Sequence, residues 1–363
     1  MARPATDDTQ EQFIEGLLEA VAGAFTVFGV YLGDQLGYYD ALADAESLTS
    51  GELAARTDTT ERYAREWLEQ QTIADVVEVD DETAPPLERR FTLPAGHVEP
   101  LTDEDSLEYV APLAQLVAGA VAPVRDVLDA YRTGGGVPYE AYGPDLREGQ
   151  ARINRSSFLQ LLGTEWLPAM DGVHERLGDD KPARVADIGC GAAYSCIGLA
   201  RHYPNVEVDG FDLDEASVEL ARRNVSEAGL EDRIRIHHRD ASDSGLEGTY
   251  DLVMAFECVH DMSDPVGALT TMRRLADEDG VVLVVDERVG DAFTTEGNDV
   301  EWMMYGWSIL HCLPVGMAEQ PTTATGTVMR TDTLRTYAER AGFDGLEVLP
   351  IENFFFRFYR LDP

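Results

Sequence analysis

Lysine is nearly missing from this chain. Lys181 is the single one, so 27 of the 28 basic residues are arginine. Against them stand 68 acidic residues, and the formal net charge is -40. A surface this acidic repels phosphate backbones, so no nucleic-acid partner is expected. The same balance reads as a halophile's: at molar salt the Debye length falls to about 3 Å and the self-repulsion is screened. Long apolar runs are also lacking. Without a run of about 18 apolar residues, no transmembrane helix is expected, and no membrane partner. The opening "MARPATDDTQEQF" has no apolar core, which excludes a signal peptide and predicts a cytoplasmic location. Cysteine is scarce and scattered: Cys190, Cys196, Cys258 and Cys312 form no C-x-x-C pair. Free thiols are expected, and no metal site.

What is present suffices for two domains. The chain has 363 residues and is 44% hydrophobic, enough for a sizeable core. The expected division is 1–148 and 149–363. The first part reads as helical, with "EQFIEGLLEAVAGAFTVFGVYLGDQLGYYDALAD" broken at Gly33 and Gly37. Thr49 or Ser50 then caps a short helix through Arg56, and a second helix runs from about Thr60 to Ile73. "DVVEV" and "RRFTLP" follow as short strands around a polar loop. Helix, turn, helix and two-stranded wing is a winged-helix pattern. Its second helix offers Arg62 and Arg65 but also Glu61, Glu66 and Glu69, which oppose phosphates, so dimerisation or a lid is the expected role. A further helix-rich stretch covers 106–132. "TGGGVPYEAYGPDLREGQ" reads as a loop, and 153–177 as helix again.

After Lys181 the pattern changes to alternating strands and helices, which means a parallel sheet with crossover helices. "LEVLPIENFFFRFYRL" reads as two close strands turning at Glu352 and Asn353. The strongest motif is "RVADIGCGAAYS", where an apolar strand reaches Asp187 and runs on into Gly189 and Gly191. Glycines there permit a sharp turn and bare main chain for a ligand. Asp212 ends the next strand, in the place of an acid that accepts hydrogen bonds from ribose hydroxyls. Asp240 and Ala241 follow a third strand, where a carboxylate receives the exocyclic amine of adenine. Three such features in order indicate a nucleoside-containing cofactor. A dinucleotide enzyme would need a third glycine where Tyr194 stands, and Asp187 would oppose a pyrophosphate but suit a cationic amino-acid head.

These residues resemble the first motif of the class I S-adenosylmethionine-dependent methyltransferases. With the winged-helix start, the likeness is to the small-molecule O-methyltransferase branch. It implies an α/β Rossmann-like methyltransferase sheet with a terminal antiparallel hairpin, preceded by a helical winged-helix domain. S-adenosylmethionine is the implied cofactor, held by Asp187, Gly189, Cys190, Gly191, Asp212, Leu213, Asp240, Ala241, Phe256 and Glu257. "YDLVMAFECVHDMSDPVGAL" resembles the "HDW-D" stretch of plant-type O-methyltransferases, whose His is a general base. His260 matches that His and Asp261 the acid after it, while Met262 stands where the plant family has Trp. A hydroxyl must lose its proton as it attacks a methyl, and histidine titrates near working pH.

On the acceptor side, "EWMMYGWSILHCLPVGMAEQP" presents aromatic and sulfur-bearing side chains that suit an apolar acceptor. Trp307 and His311, with Tyr142 from the glycine-rich loop, are the candidate substrate contacts. The expected function is methyl transfer to a small-molecule nucleophile by a homodimer. Two other classes fit parts of the pattern: a ligand-sensing winged-helix regulator, which would bind duplex DNA, and a nicotinamide-dependent oxidoreductase, which would bind a dinucleotide. Use of S-adenosylmethionine without a methylated product would leave the same motifs.

Overall fold

The computed structural model describes residues 10–362. They fall into two compact units, one of 10–119 with 144–156 and the other of 120–143 with 157–362. In the first unit a single helix, Gln10–Gln35, passes through Gly33 without a break. Gly33 is a contact position, because a Cβ there would lie 2.5 Å from Trp67 and 2.7 Å from Tyr39. The chain turns instead at Gly37, in the left-handed region at φ 66°. Phe13, Leu17, Leu18 and Phe25 of this helix are exposed. Its length and composition are sufficient to cross a membrane, which corrects the expectation that no segment qualifies. Glycine, alanine and three glutamates interrupt every long apolar run, yet the average over the helix stays apolar.

The winged helix follows. Thr49 and Glu52 form a reciprocal capping box at helix Ser50–Arg56. Helix Glu61–Ile73 starts after Thr60 and buries Ala64, Trp67, Leu68 and Gln71. Strands β1 (Glu78–Val79) and β2 (Phe91–Thr92) pair antiparallel as the wing, and Leu48 bridges to Phe91. The rings of Tyr38 and Tyr39 meet Trp67 edge-on at 4.8 Å and 5.3 Å and centre the core. Arg152 forks onto both carboxylate oxygens of Asp34 at 2.7 Å, fastening 144–156 to this unit. The stretch expected to be loop through Gln150 is helical from Gly143, since Pro144 suits a first turn and ends the loop early.

The second unit holds a seven-stranded sheet in the order β5-β4-β3-β6-β7-β9-β8. Here β3 is Ala183–Ile188, β4 Val206–Asp212, β5 Ile234–His238, β6 Tyr250–Phe256, β7 Ala276–Glu287, β8 Gly345–Val348 and β9 Phe356–Asp362. The strands from β3 to β7 are parallel, and β9 runs antiparallel between β7 and β8. Strands buried on both faces read as continuous apolar runs, as "VVLVV" of β7 does. The strand order reverses beside β3, so the carboxyl ends of β3, β4 and β6 open a crevice of the kind that takes ligands in such sheets. Trp166 closes one face, packing edge-on against Phe358 at 5.1 Å.

Candidate active site

The glycine turn after β3 is built for close approach. Gly189 and Gly191 have φ of 70° and 51°. A Cβ on Gly189 would lie 2.8 Å from the Cys258 sulfur, and one on Gly210 of β4 would lie 2.9 Å from that of Cys190. The turn is therefore pressed against β4 and the β6 end through the Cys190 and Cys258 side chains, with no room for a Cβ on either glycine. Asp212 ties it down: one carboxylate oxygen accepts from the Gly191 N–H at 2.8 Å and the other from the Asp214 N–H at 2.9 Å. Each oxygen keeps a lone pair for a hydroxyl donor. Asp187 is buried and accepts from the Ser195 hydroxyl and, at 3.2 Å, from the Cys196 thiol. Burial raises its pKa to about 6, against the lowering effect of those two bonds. Its carboxylate thus braces the turn from inside.

Asp240 is exposed and accepts from the Ser242 N–H and hydroxyl, both at 2.8 Å. Leu213 and Asp240 share a small cleft of about 60 Å³ with Met262, Ser263 and Asp264. Ala241 is half-buried and packs at the edge of the β6 side of the core. Phe256 lies in the core, edge-on to Phe158 at 5.1 Å. Glu257 has φ 48° as the chain leaves β6. The turn, the Asp212 carboxylate and the Leu213–Asp240 cleft fit an adenosyl group and its ribose hydroxyls.

His260 is buried at the end of β6, on a single turn formed by Val259–Asp261. Its Nδ1 lies 3.0 Å and 3.1 Å from the two oxygens of Asp286. Glu287 comes within 3.2 Å of the same nitrogen, and Asp261 within 3.2 Å of Nε2. Burial alone lowers the imidazole's pKa, but Asp286, Glu287 and Asp261 outweigh it and hold the pKa well above the ordinary value. Burial likewise pushes Glu287 up to about 8. Asp286 and Glu287 end β7 and escaped sequence reasoning. The signal was there: "VVLVVDE" puts two acids directly after five consecutive apolar residues at the end of the strand.

His311 and Cys312 join this cluster on a wide helical turn, Ser308–Cys312, of the kind that often marks functional sites. The imidazole of His311 stands edge-on to Tyr142 at 4.7 Å and Tyr139 at 5.7 Å, and burial lowers its pKa. Tyr142 is buried and its hydroxyl donates to the Leu310 carbonyl at 2.9 Å. The Cys312 sulfur lies 3.4 Å from His311 Nδ1, and burial pushes the thiol up to about 12. Trp307 is half-buried against Val289, Val300 and Met304, apart from this cluster. All four cysteines are free thiols.

A crossover sheet with a glycine turn after its first strand, an acid after its second and a buried histidine after its fourth is the arrangement that the sequence likeness to class I methyltransferases implies. Residues 179–338 match the methyltransferase domain family, and residues 24–103 match the Rv2258c-like winged HTH domain family. The ribosomal protein uL3 glutamine methyltransferase of Neisseria meningitidis is 37% identical over 106 residues, 28% of this chain and 32% of its own length. The chain spans from 5% to 37% of the curated relatives it matches. Mitomycin 7-O-methyltransferase superposes over 97% of this chain and 98% of its own, with TM-score 0.71 and 19% identity. Human N-acetylserotonin methyltransferase, solved with S-adenosylmethionine, does so over 99% of both chains, with TM-score 0.69 and 16% identity. The nicotinamide alternative falls away with the domain match.

Proposed function

We propose that this protein transfers a methyl group from S-adenosylmethionine to a hydroxyl of a small molecule, with His260 as the proton acceptor. One observation carries the reading: Asp286 takes the Nδ1 side of His260 at 3.0 Å, which makes Nε2, 3.2 Å from Asp261, the nitrogen that exchanges a proton. When bound, S-adenosylmethionine supplies an electrophilic methyl on its sulfonium. Asp187, Gly189, Cys190, Gly191, Asp212, Leu213, Asp240, Ala241, Phe256 and Glu257 form or support the cofactor site in this reading. Asp212 orients the ribose, and the imidazole of His260 takes the acceptor's proton in its neutral form, which the three acids confine to pH above its raised pKa. Asp286 and its neighbours stabilise the imidazolium that results. Holding the acceptor in line supplies about 7–11 kcal/mol of the barrier reduction, and the base about 10²–10⁴-fold in rate. Tyr142 and His311 border the acceptor, and Trp307 supports their helix.

The acceptor class rests on the apolar and aromatic surroundings of His311. A nucleic-acid substrate is disfavoured, because Arg62 is paired with Glu66 and Arg65 with Glu61 on the winged helix's second helix. Labelled cofactor incubated with protein and cell extract should yield a labelled small molecule. His260→Ala should cut its formation by about 10²–10⁴-fold while S-adenosylhomocysteine still binds. Unimpaired turnover in that variant removes the base role. Asp212→Ala should weaken S-adenosylhomocysteine by about 1.5–3 kcal/mol in calorimetry. An unchanged affinity takes Asp212 out of the site.

A further inference from the structure

Around His260 the second unit buries more ligating groups than one proton transfer requires. Three carboxylates face a single imidazole, and a thiol and a second imidazole stand beside them. Asp261 Oδ1 and Glu287 Oε2 are buried and meet His260 at 3.2 Å as ion pairs without hydrogen-bond geometry, and the buried His311 Nε2 and Thr327 hydroxyl have no hydrogen-bond partner. Buried polar atoms without a hydrogen bond are costly, and four around one imidazole point to something that answers them together.

We propose that His260 Nε2, Asp261 and Cys312 form a site for a zinc-like divalent cation. Their ligand atoms lie within 4.8 Å of one another, a spread that a tetrahedral ion with bonds of about 2.0–2.3 Å draws in by small side-chain shifts. Nitrogen, oxygen and sulfur together suit zinc or cobalt and disfavour magnesium or calcium, which take oxygen. Three protein ligands leave a fourth position open for water or an acceptor oxygen. Behind the histidine, Asp286 accepts from Nδ1–H. This carboxylate–histidine arrangement orients metal-binding imidazoles and fixes their tautomer. The other possible set, His260 with Asp286 and Glu287, would have to use the nitrogen that already bonds Asp286. The ion replaces the protons that His260 and Cys312 carry, which pass to solvent.

The inference does not depend on the base reading and limits it. A cation on Nε2 takes the electron pair a base needs, so the loaded enzyme is inactive by that route and a chelator restores it. The test uses the full chain, stripped by chelator and then titrated with Co²⁺. One equivalent should bind and give intense visible bands with a thiolate charge-transfer band. Cys312→Ser should abolish the charge-transfer band, and Asp286→Asn should weaken binding by about 10–100-fold. Calorimetry with S-adenosylhomocysteine checks that both variants keep the fold. His174→Ala, a distant histidine, should change nothing. Absence of a bound equivalent overturns the site, as does a charge-transfer band that survives Cys312→Ser. A stripped His260→Ala protein that keeps turnover would defeat the base reading alone, because the wild-type cobalt spectrum is read without any acceptor.

Discussion

Asp187 shows how a residue in a cofactor motif acts through the structure around it. The sequence placed it beside the glycine turn and suggested a partner for a cationic head. The fold buries it and gives its carboxylate Ser195 and Cys196 as partners, contacts that follow from side-chain direction on β3 and have no trace in spacing. The consequence is a pH dependence. Its folded pKa of about 6 is raised above that of an unfolded aspartate, so the neutral form is the one the fold prefers. This favourable share is present at about pH 4 and is lost as pH rises through about 6. Asp187→Asn should therefore show a flatter stability curve between these limits than the wild type, and should gain on it at pH 7. Parallel curves in urea titrations at the two pH values would show that Asp187 is not buried as described. His260 and Asp261 were singled out by the likeness of their stretch to the "HDW-D" segment after an apolar strand. Asp286 and Glu287 became visible only when β7 was paired next to β6, since nothing in their spacing ties them to His260.

At the level of elements, most of the chain was legible, because amphipathic helices and apolar strands announce themselves by period. Both winged-helix helices, the wing and the alternation after Lys181 lie where the pattern put them. Gly33 was misread as a break. Glycine has two uses, freedom of the backbone and absence of a side chain, and a sequence does not tell them apart. Here Trp67 and Tyr39 occupy the space where a Cβ would sit. Gly33→Ala should cost about 1–3 kcal/mol through overpacking. Gly23→Ala on the same helix meets nothing within 4 Å and should stabilise by roughly 0.5–1 kcal/mol. Chemical denaturation of the pair decides it, since equal signs would refute the packing argument. The order of the last strands was beyond sequence reach as well: a hairpin was evident, but not that β9 would enter the sheet ahead of β8.

For the whole molecule, charge and the first helix set the behaviour. The net charge of -40 destabilises a compact chain unless counter-ions screen it. Melting midpoints should climb from low to molar potassium chloride, and a flat series would refute salt adaptation. The exposed side chains of Gln10–Gln35 need cover, and a homodimer in which a second copy of the helix supplies it, with the same chemistry on both sides, is the expected assembly. Light scattering at molar salt should give twice the chain mass of 39.9 kDa, while a single-chain mass would rule out the homodimer.

The position of β9 has a consequence for how the protein is made. β7 carries Asp286 and Glu287, and its outer edge is covered by Phe356–Asp362, about 70 residues further along the chain. On the ribosome, β7 is complete well before its neighbour exists. Through that interval the strand offers a bare, strongly apolar ribbon to any passing chain. Ribosome-bound chains halted just before residue 356 should therefore recruit holdase chaperones and stay open to protease. Chains carried past residue 362 and clear of the exit tunnel should release the chaperone and resist digestion. The cluster around His260 thus matures late in synthesis, when the last strand slides in beside β7.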